Sequence, residues 1–494
     1  MNNRTYFLQR EPWNCRGYIL RGNFTFLNVS KQFPERFPDW ESKEMPLLWR
    51  FNLHYFGYLY LLEERDRLEI CRNWIKGNPA GRTVGWHPYP LSLRIVNWIK
   101  SGINDEQISA SLFHQATYLI NNLETYHPGN HLLENARALI FAGLYFNRKG
   151  DAGKWFERGK EIFGKELKIQ VLRDGGYFER SIMYHALMFE CVLDLINILP
   201  EDQKDFIDHL TEIAKKMCVF LDAMTHPDGK IALFNDSTFE IAQSSEKLKD
   251  YCWRLIKYKP ARKTSFNDSG YYVFRNEDIY LVIDGGKIGP DYLPAHAHAD
   301  LFSYELSIFS SRIVVDSGVY EYPAGEMRSY VRSTKAHNTV AIDGIDQAEC
   351  WDSFRVARRF VPHNVLLEHE AGLLKFYGEF DGYSALIGDR IKHKRKIYCE
   401  ASLRSILVED NISGVGNHIA ESFIHFSPEA EVELVGNTAY IRSDKNIIKI
   451  IVENGRCSIE EGWYCPRFGE KIRNKMLVIG ADNLPAKLSY KIVY

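Results

Sequence analysis

The chain has 494 residues, 45% of them apolar, which is too long for one ordinary core and predicts two or three domains of roughly 100 to 200 residues. Its 62 Lys and Arg against 64 Asp and Glu leave a formal charge of -2, so no overall basic field advertises nucleic acid or an anionic membrane, and an acidic ligand must be met by local charge. No stretch approaches the ~20 apolar residues of a membrane span, and nine scattered cysteines without a CxxC pair read as free thiols of a reducing compartment.

Met1 to Ser30 holds scattered arginines but no apolar signal segment, so a cytoplasmic location is expected, or a periplasmic or secreted one if the given start omits a leader. From about Leu47 to Leu255 apolar residues recur at intervals of three and four, the helical period. Turn signals punctuate the run, among them Gly77-Asn78-Pro79, His127-Pro128-Gly129, Asp174-Gly175-Gly176 and His226-Pro227-Asp228-Gly229. Helical hairpins stacked in a ring or solenoid account for this pattern.

Two aromatic stretches, Trp49 to Phe56 with His54 and Gly85 to Pro90 with Trp86, set flat rings among polar groups. Such surfaces suit sugar rings, although core packing accounts for most of them. Asn130-His131-Leu-Leu-Glu134 stands where a helix should begin: Asn130 is a good N-cap, and His131 and Glu134 share a face. A plain cap with a solvated acid is the alternative. Farther on, Asp174 to His185 joins a turn to a helix that is apolar nearly all round through Leu195 and therefore lies inside. Tyr184, next to Arg180 and His185, is either a hydrogen-bonded core residue or a proton carrier, and the residues alone favour the core.

After Pro260 the texture becomes β, with short runs at Ile279–Ile283, Ile313–Val315, Thr339–Ile342, Ile447–Val452 and Leu488–Val493. These predict a sandwich, with the boundary in the charged, proline-broken stretch between Tyr258 and Asn267, hence domains 1–262 and 263–494. Here His296-Ala-His298-Ala-Asp300 places three polar groups at alternate positions, on one face if the backbone is an extended strand. Downstream, Asp316-Ser-Gly318 and His337-Asn338-Thr339 add a carboxylate and a third imidazole. Two imidazoles, a carboxylate and water make a sensible Zn²⁺ shell. Structural histidines bonded to backbone carbonyls are the alternative.

Taken in order, Phe51 to Phe56, Trp86 to Pro90 with Arg94 to Trp98, Asn130-His131, Asp174 to Tyr184, His296 to Asp300, Asp316 to Gly318 and His337 to Thr339 resemble the heparinase II/III family of polysaccharide lyases. The resemblance covers roughly Trp49 to Gly344. It implies an α+β multidomain fold, an N-terminal incomplete (α/α) toroid followed by a C-terminal antiparallel β-sandwich. The implied reaction is β-elimination at a uronic acid of an acidic polysaccharide or oligosaccharide, giving a 4,5-unsaturated uronate. By resemblance Tyr184 is the Brønsted acid, His296 a second catalytic group, and Asn130, His131 and Glu134 line the subsite. Trp86, His54, Arg180 and His185 are the expected substrate contacts. His298, Asp316 and His337 are the implied ligands of a structural zinc.

One geometric difficulty attends that ligand set. A tight hairpin around Ser310-Ser311 puts Asp316 opposite about Glu305 and ~20 Å from His298 along an extended strand. Either the chain bends near Asp300, or Asp300 replaces Asp316. No nucleic-acid or membrane partner is expected, and a homodimer is left open. Two other classes compete: a glycoside hydrolase on an α/α toroid, using two of Asp174, Glu179 and Asp236, and a noncatalytic polysaccharide-binding or assembly protein of the same fold.

Overall fold

The computed structural model describes residues 6–9, 13–126, 129–370, 372–400, 402–443 and 446–494. His127 and Pro128 of one expected turn lie outside them. The principal helices are Leu47–Tyr55, Glu64–Gly77, Pro88–Lys100, Glu106–Ile120, Asn130–Tyr145, Asp151–Gln170, Ile182–Ile198, Lys204–Ala223 and Ser245–Ile256. Their starts follow local chemistry. Pro88 opens one helix, where its missing N–H would have had no partner, and the Asp105 carboxylate caps another by accepting the Ile108 N–H at 3.0 Å. Asn130 is not a cap: it is the first helical residue, and Gly129 precedes it without a side-chain bond.

The helix Ile182–Ile198 is buried along its whole length, as its all-round apolar sequence requires. Helices Asn130–Tyr145 and Asp151–Gln170 approach closely through glycine. A Cβ on Gly143 would stand 2.7 Å from Phe156 Cβ, and one on Gly159 would stand 2.7 Å from the Ala136 carbonyl oxygen.

The chain forms two compact units that interleave along the sequence. The first comprises Met1–Val171, Leu187–Lys215 and Lys247–Lys259, and the second Leu172–Ala186, Lys216–Glu246 and Pro260–Tyr494. Residue 262 therefore marks where helices give way to strands, while packing allots two stretches of the helical half to the strand-rich unit. The reason is visible in a five-stranded antiparallel sheet of Ser265–Phe266, Tyr271–Arg275, Ile279–Asp284, Tyr304–Ile308 and Ser311–Val314. Its Ile279–Asp284 and Tyr304–Ile308 strands are buried on both faces. One face sends Leu281, Ile283, Tyr304 and Leu306 into a core shared with Phe376, Ile397, Val408 and Ile450. The other sends the Tyr280 hydroxyl to the Ala223 carbonyl at 2.7 Å and Ser307 Oγ to His226 Nδ1 at 2.7 Å.

Opposite lies an eight-stranded antiparallel sheet in the order His363–Glu370, Leu373–Phe380, Lys392–Glu400, Ser405–Gly416, Leu484–Val493, Asn446–Asn454, Thr438–Ser443 and Glu431–Val435. Strand Lys392–Glu400 alternates strictly between buried and half-buried residues, so one face packs the core. A four-stranded sheet completes the unit. Within the large sheet, Arg395 meets Asp410 by a two-point fork at 2.7 Å each, with His393 Nε2 also at 2.7 Å, and all three side chains are fully buried. The protein is thus an α+β multidomain chain, with helices in its N-terminal part and antiparallel sheets in its C-terminal part.

Candidate active site

Tyr184 occupies the first turn of the helix Ile182–Ile198. Ser181 caps that helix, its Oγ accepting the Tyr184 N–H at 3.2 Å, and Ser237 Oγ accepts the Ile182 N–H at 3.0 Å. The side chain is 8% exposed, as helical periodicity suggests, yet its hydroxyl is not used up in core bonding. It lies 3.0 Å from the Tyr322 hydroxyl, and its ring stands 4.2 Å from the His296 ring. Burial, then the neighbouring Tyr322 hydroxyl and the charges of Glu179 and Asp236, pushes the Tyr184 phenol well above its ordinary range, so it keeps its proton.

Residues 296–300 are a turn and loop, not the extended strand expected from their spacing. The two histidines nevertheless converge, because both meet the buried carboxylate of Asp236. His296 Nδ1 lies 2.8 Å from Oδ2, and His298 Nε2 lies 2.9 Å from Oδ1. Arg328 forks onto the same carboxylate, with Nη1 2.5 Å from Oδ1 and Nη2 2.8 Å from Oδ2. Burial works to raise the Asp236 carboxyl, but Arg328 and the two histidine bonds outweigh it and hold the group well below its usual range. Tyr322 and the half-exposed Phe354 stand against the His296 ring at 5.8 and 5.7 Å.

The bend required for the expected ligand set exists. Ser303 N–H bonds to the Asp300 carbonyl at 2.9 Å, and Phe302 turns the chain with a left-handed φ of 66°. The His298 and His337 rings come within 5.2 Å, and His337 Nδ1 lies 2.8 Å from Asp316 Oδ2. Among the described residues, no group of three His, Cys, Asp or Glu side chains forms a ready metal cage. The donor chemistry still suits a cation, since His298 Nδ1, His337 Nε2 and Asp300 Oδ2 are buried without a hydrogen-bond partner. Burial together with neighbouring carboxylates also raises Asp300 well above its ordinary range and Asp284 to about 7. The spare carboxylate oxygen belongs to Asp300, whereas Asp316 is engaged with His337.

Three expected substrate contacts are core residues instead. His54 is fully buried, with Nε2 2.9 Å from the Trp40 carbonyl and Nδ1 accepting the Trp74 indole N–H at 2.9 Å. Trp86 packs edge-on against Tyr118 at 5.0 Å and gives its indole N–H to the Asn78 carbonyl. His185 is sealed in, with Nε2 3.0 Å from the Met217 carbonyl. In each case a ring that looked suited to sugar fills apolar volume and bonds to another part of the core. Arg180 is 5% exposed and gives its Nε–H to the Ser269 carbonyl at 3.0 Å, yet its side chain still lines a cleft of about 600 Å³ with Lys287, Tyr272 and Leu366.

Asn130, His131 and Glu134 stand on the first compact unit. The His131 ring stacks on Tyr89 at 4.1 Å, and Nδ1 meets Glu124 at 2.9 Å. Burial acts to raise the Glu124 carboxyl, but bonding to His131 and the charges of His131 and His87 hold it below its usual range. Glu134 is buried and accepts from Arg137 Nη1 at 3.1 and 2.9 Å, so a cation compensates it. Of the carboxylates weighed for a hydrolase, Asp174 is bound to the Gly176 and Ser269 N–H groups and the Ser269 hydroxyl, and Asp236 is saturated as described. Tyr322, Arg328 and Glu124 carried no signal in the sequence. Asp236 carried a weak one, as part of Asn235-Asp236-Ser237 ending the buried run Ile231–Phe234.

Comparison with known proteins gives the family of the chain. The heparinase II/III-like C-terminal model matches residues 259–489, and the heparinase II/III N-terminus model matches residues 71–264. A heparin-sulfate lyase of Bacteroides stercoris is 28% identical over 317 residues, 56% of this chain and 46% of that protein. One from Bacteroides thetaiotaomicron is 25% identical over 429 residues, 73% of this chain and 56% of that protein. The chain therefore spans about half the length of these relatives. Among solved structures, heparinase III superposes with a TM-score of 0.70 at 19% identity, covering 90% of this chain and 76% of that one. A mutant heparan sulfate lyase from Pedobacter heparinus gives 0.69 at 19%, covering 98% and 84%. With the structural likeness establishing the fold and two adjoining family models covering residues 71–489, the chain belongs to the heparinase II/III family.

Proposed function

We propose that this protein is a polysaccharide lyase that cleaves a uronic-acid-containing glycosaminoglycan of the heparan type by β-elimination. The observation that carries the reading is the Tyr184–His296 pair, a protonated phenol against an imidazole at 4.2 Å, with the imidazole tethered at Nδ1. Elimination requires loss of the C5 proton of the uronate and protonation of the departing O4. Tyr184, whose environment keeps its hydroxyl protonated, serves as the acid toward O4. His296, whose Nδ1 faces a carboxylate, presents Nε2 as the base toward C5–H. The C5–H bond breaks, its electrons form the C4=C5 bond, and the C4–O4 bond breaks as O4 takes the tyrosine proton; no water is consumed. The names of the relatives support heparan-type substrate.

A Zn²⁺ ion held by His298 and His337, with Asp316 or Asp300 supplying the carboxylate, belongs to the same proposal. When bound, it would neutralise buried carboxylates and pin the loops that carry these residues.

The hydrolase alternative lacks a free pair of carboxylates, since Asp174 and Asp236 are spent on internal bonds. The test is a panel of heparan sulfate, alginate and other uronate polymers, followed by ultraviolet absorbance of the unsaturated product. New absorbance with heparan sulfate supports the reading. Reducing ends without that absorbance would indicate hydrolysis, and no reaction across the panel would leave the binding protein in place of the enzyme.

A further inference from the structure

We propose that Asp236 is the positioning residue of the active site and that, braced by Arg328, one carboxylate fixes the tautomers of both His296 and His298. This rests on the lyase reading above. Both oxygens of Asp236 are committed: Oδ2 to His296 Nδ1 at 2.8 Å and Oδ1 to His298 Nε2 at 2.9 Å, with Arg328 Nη1 and Nη2 closing on the same two atoms. Asp236, His298 and Arg328 are fully buried, so water does not compete for these bonds. An ionised carboxylate only accepts hydrogen bonds, so each ring must turn an N–H toward it. His296 therefore turns an Nδ1–H to Asp236, and Nε2, which stands 3.8 Å from Glu179 Oε2, is the nitrogen left to face the sugar. His298 carries its proton on Nε2 and leaves Nδ1 bare, which is the atom found buried without a partner. Two histidines only two residues apart thus show opposite nitrogens to their respective tasks. The backbone reinforces the arrangement: Asn235 Oδ1 accepts the His298 N–H at 3.1 Å, and the Asp236 carbonyl accepts the Ser181 hydroxyl at 2.7 Å in the cap that sets Tyr184.

The test is Asp236→Asn, an isosteric change that gives the side chain one acceptor oxygen and one NH₂ donor. One of the two rings must then receive a hydrogen bond instead of donating one, and so must exchange its tautomer. Expected results are a kcat on heparan sulfate lowered by about 10- to 100-fold, the range for outer partners of site histidines, with KM changed less than about twofold. In the metal-free protein, ¹⁵N histidine spectra should show one of the two rings moving from its wild-type tautomer. Unchanged kcat and unchanged tautomers, in a background where Tyr184→Phe and His296→Ala are inactive, would overturn the proposal and leave the lyase reading standing. Full activity of Tyr184→Phe and His296→Ala would overturn the lyase reading itself. If Asp236→Asn fails to fold, Arg328→Lys replaces it, since it keeps the charge and loses the fork. Reduced kcat with mixed tautomers then supports the role, and wild-type values for both refute it.

Discussion

Replacing Tyr184 by Phe separates chemistry from architecture. The change removes one hydroxyl and leaves the ring that packs at 4.2 Å against His296 and fills the first turn of its helix. The structural loss is one hydroxyl–hydroxyl hydrogen bond, to Tyr322 at 3.0 Å, which sets the stability cost at about 0.5–1.5 kcal/mol. On the proposed mechanism the catalytic loss is the proton donor for O4, and positioned acid–base groups contribute about 10²- to 10⁴-fold. That is about 2.7–5.4 kcal/mol of barrier at 1.36 kcal/mol per tenfold. Initial rates of unsaturated-uronate absorbance should therefore fall at least about 100-fold, while the urea midpoint moves only slightly. A folded Tyr184→Phe protein turning over heparan sulfate within about threefold of wild type would remove Tyr184 from its assigned role.

Further expectations concern residues that differ in task. His54→Ala should cost about 1–3 kcal/mol by leaving the Trp74 indole N–H without its acceptor; urea melts measure this, and a raised KM without destabilisation would restore His54 as a sugar contact. Asp410→Asn should cost about 3–5 kcal/mol because Arg395 would stay buried with its charge uncompensated. Burial favours the neutral Asp410 acid, but Arg395 and His393 outweigh it and depress the carboxyl well below its unfolded value. Its stabilisation is therefore complete above about pH 4 and lost as pH falls toward the folded value. Wild type should thus lose stability between neutral and acid pH more steeply than Asp410→Asn, and equal slopes would contradict this. Finally, chelation should lower the Tm of the zinc-loaded protein and added Zn²⁺ restore it, whereas His298→Ala and His337→Ala should lose both metal and the chelator response. Full zinc content in either variant would dismiss the ligand assignment.

Much of the fold was legible because it depends on local periodicity. The all-round apolar stretch Ile182–Ile198 predicted an inside helix and forms one, and the change to alternating residues after Pro260 marks the start of the sheets. Within the candidate site, Tyr184, His296, His298 and His337 were visible as motif residues, and the structure brings Tyr184 beside His296 and His298 beside His337. The strand expected at 296–300 is a loop, because its convergence comes from Asp236, about 60 positions away in sequence, and not from a pleat. His54, Trp86 and His185 were misjudged for a related reason. An aromatic or imidazole ring has the same appearance in sequence whether it faces a sugar or gives its N–H to a carbonyl in the core.

What the sequence determined by itself is the order of helices and strands, the family pattern and the residue types available for acid–base chemistry, all set by neighbours a few positions apart. Tertiary structure alone decided which nitrogen each histidine presents, that Asp236 and Arg328 tie two histidines together, and that residues 172–186 and 216–246 pack with the sheets. These are contacts between residues far apart in sequence, 92 positions for Arg328 and Asp236 and 228 for Thr238 and Pro466, fixed by which buried polar groups must find partners once water is excluded.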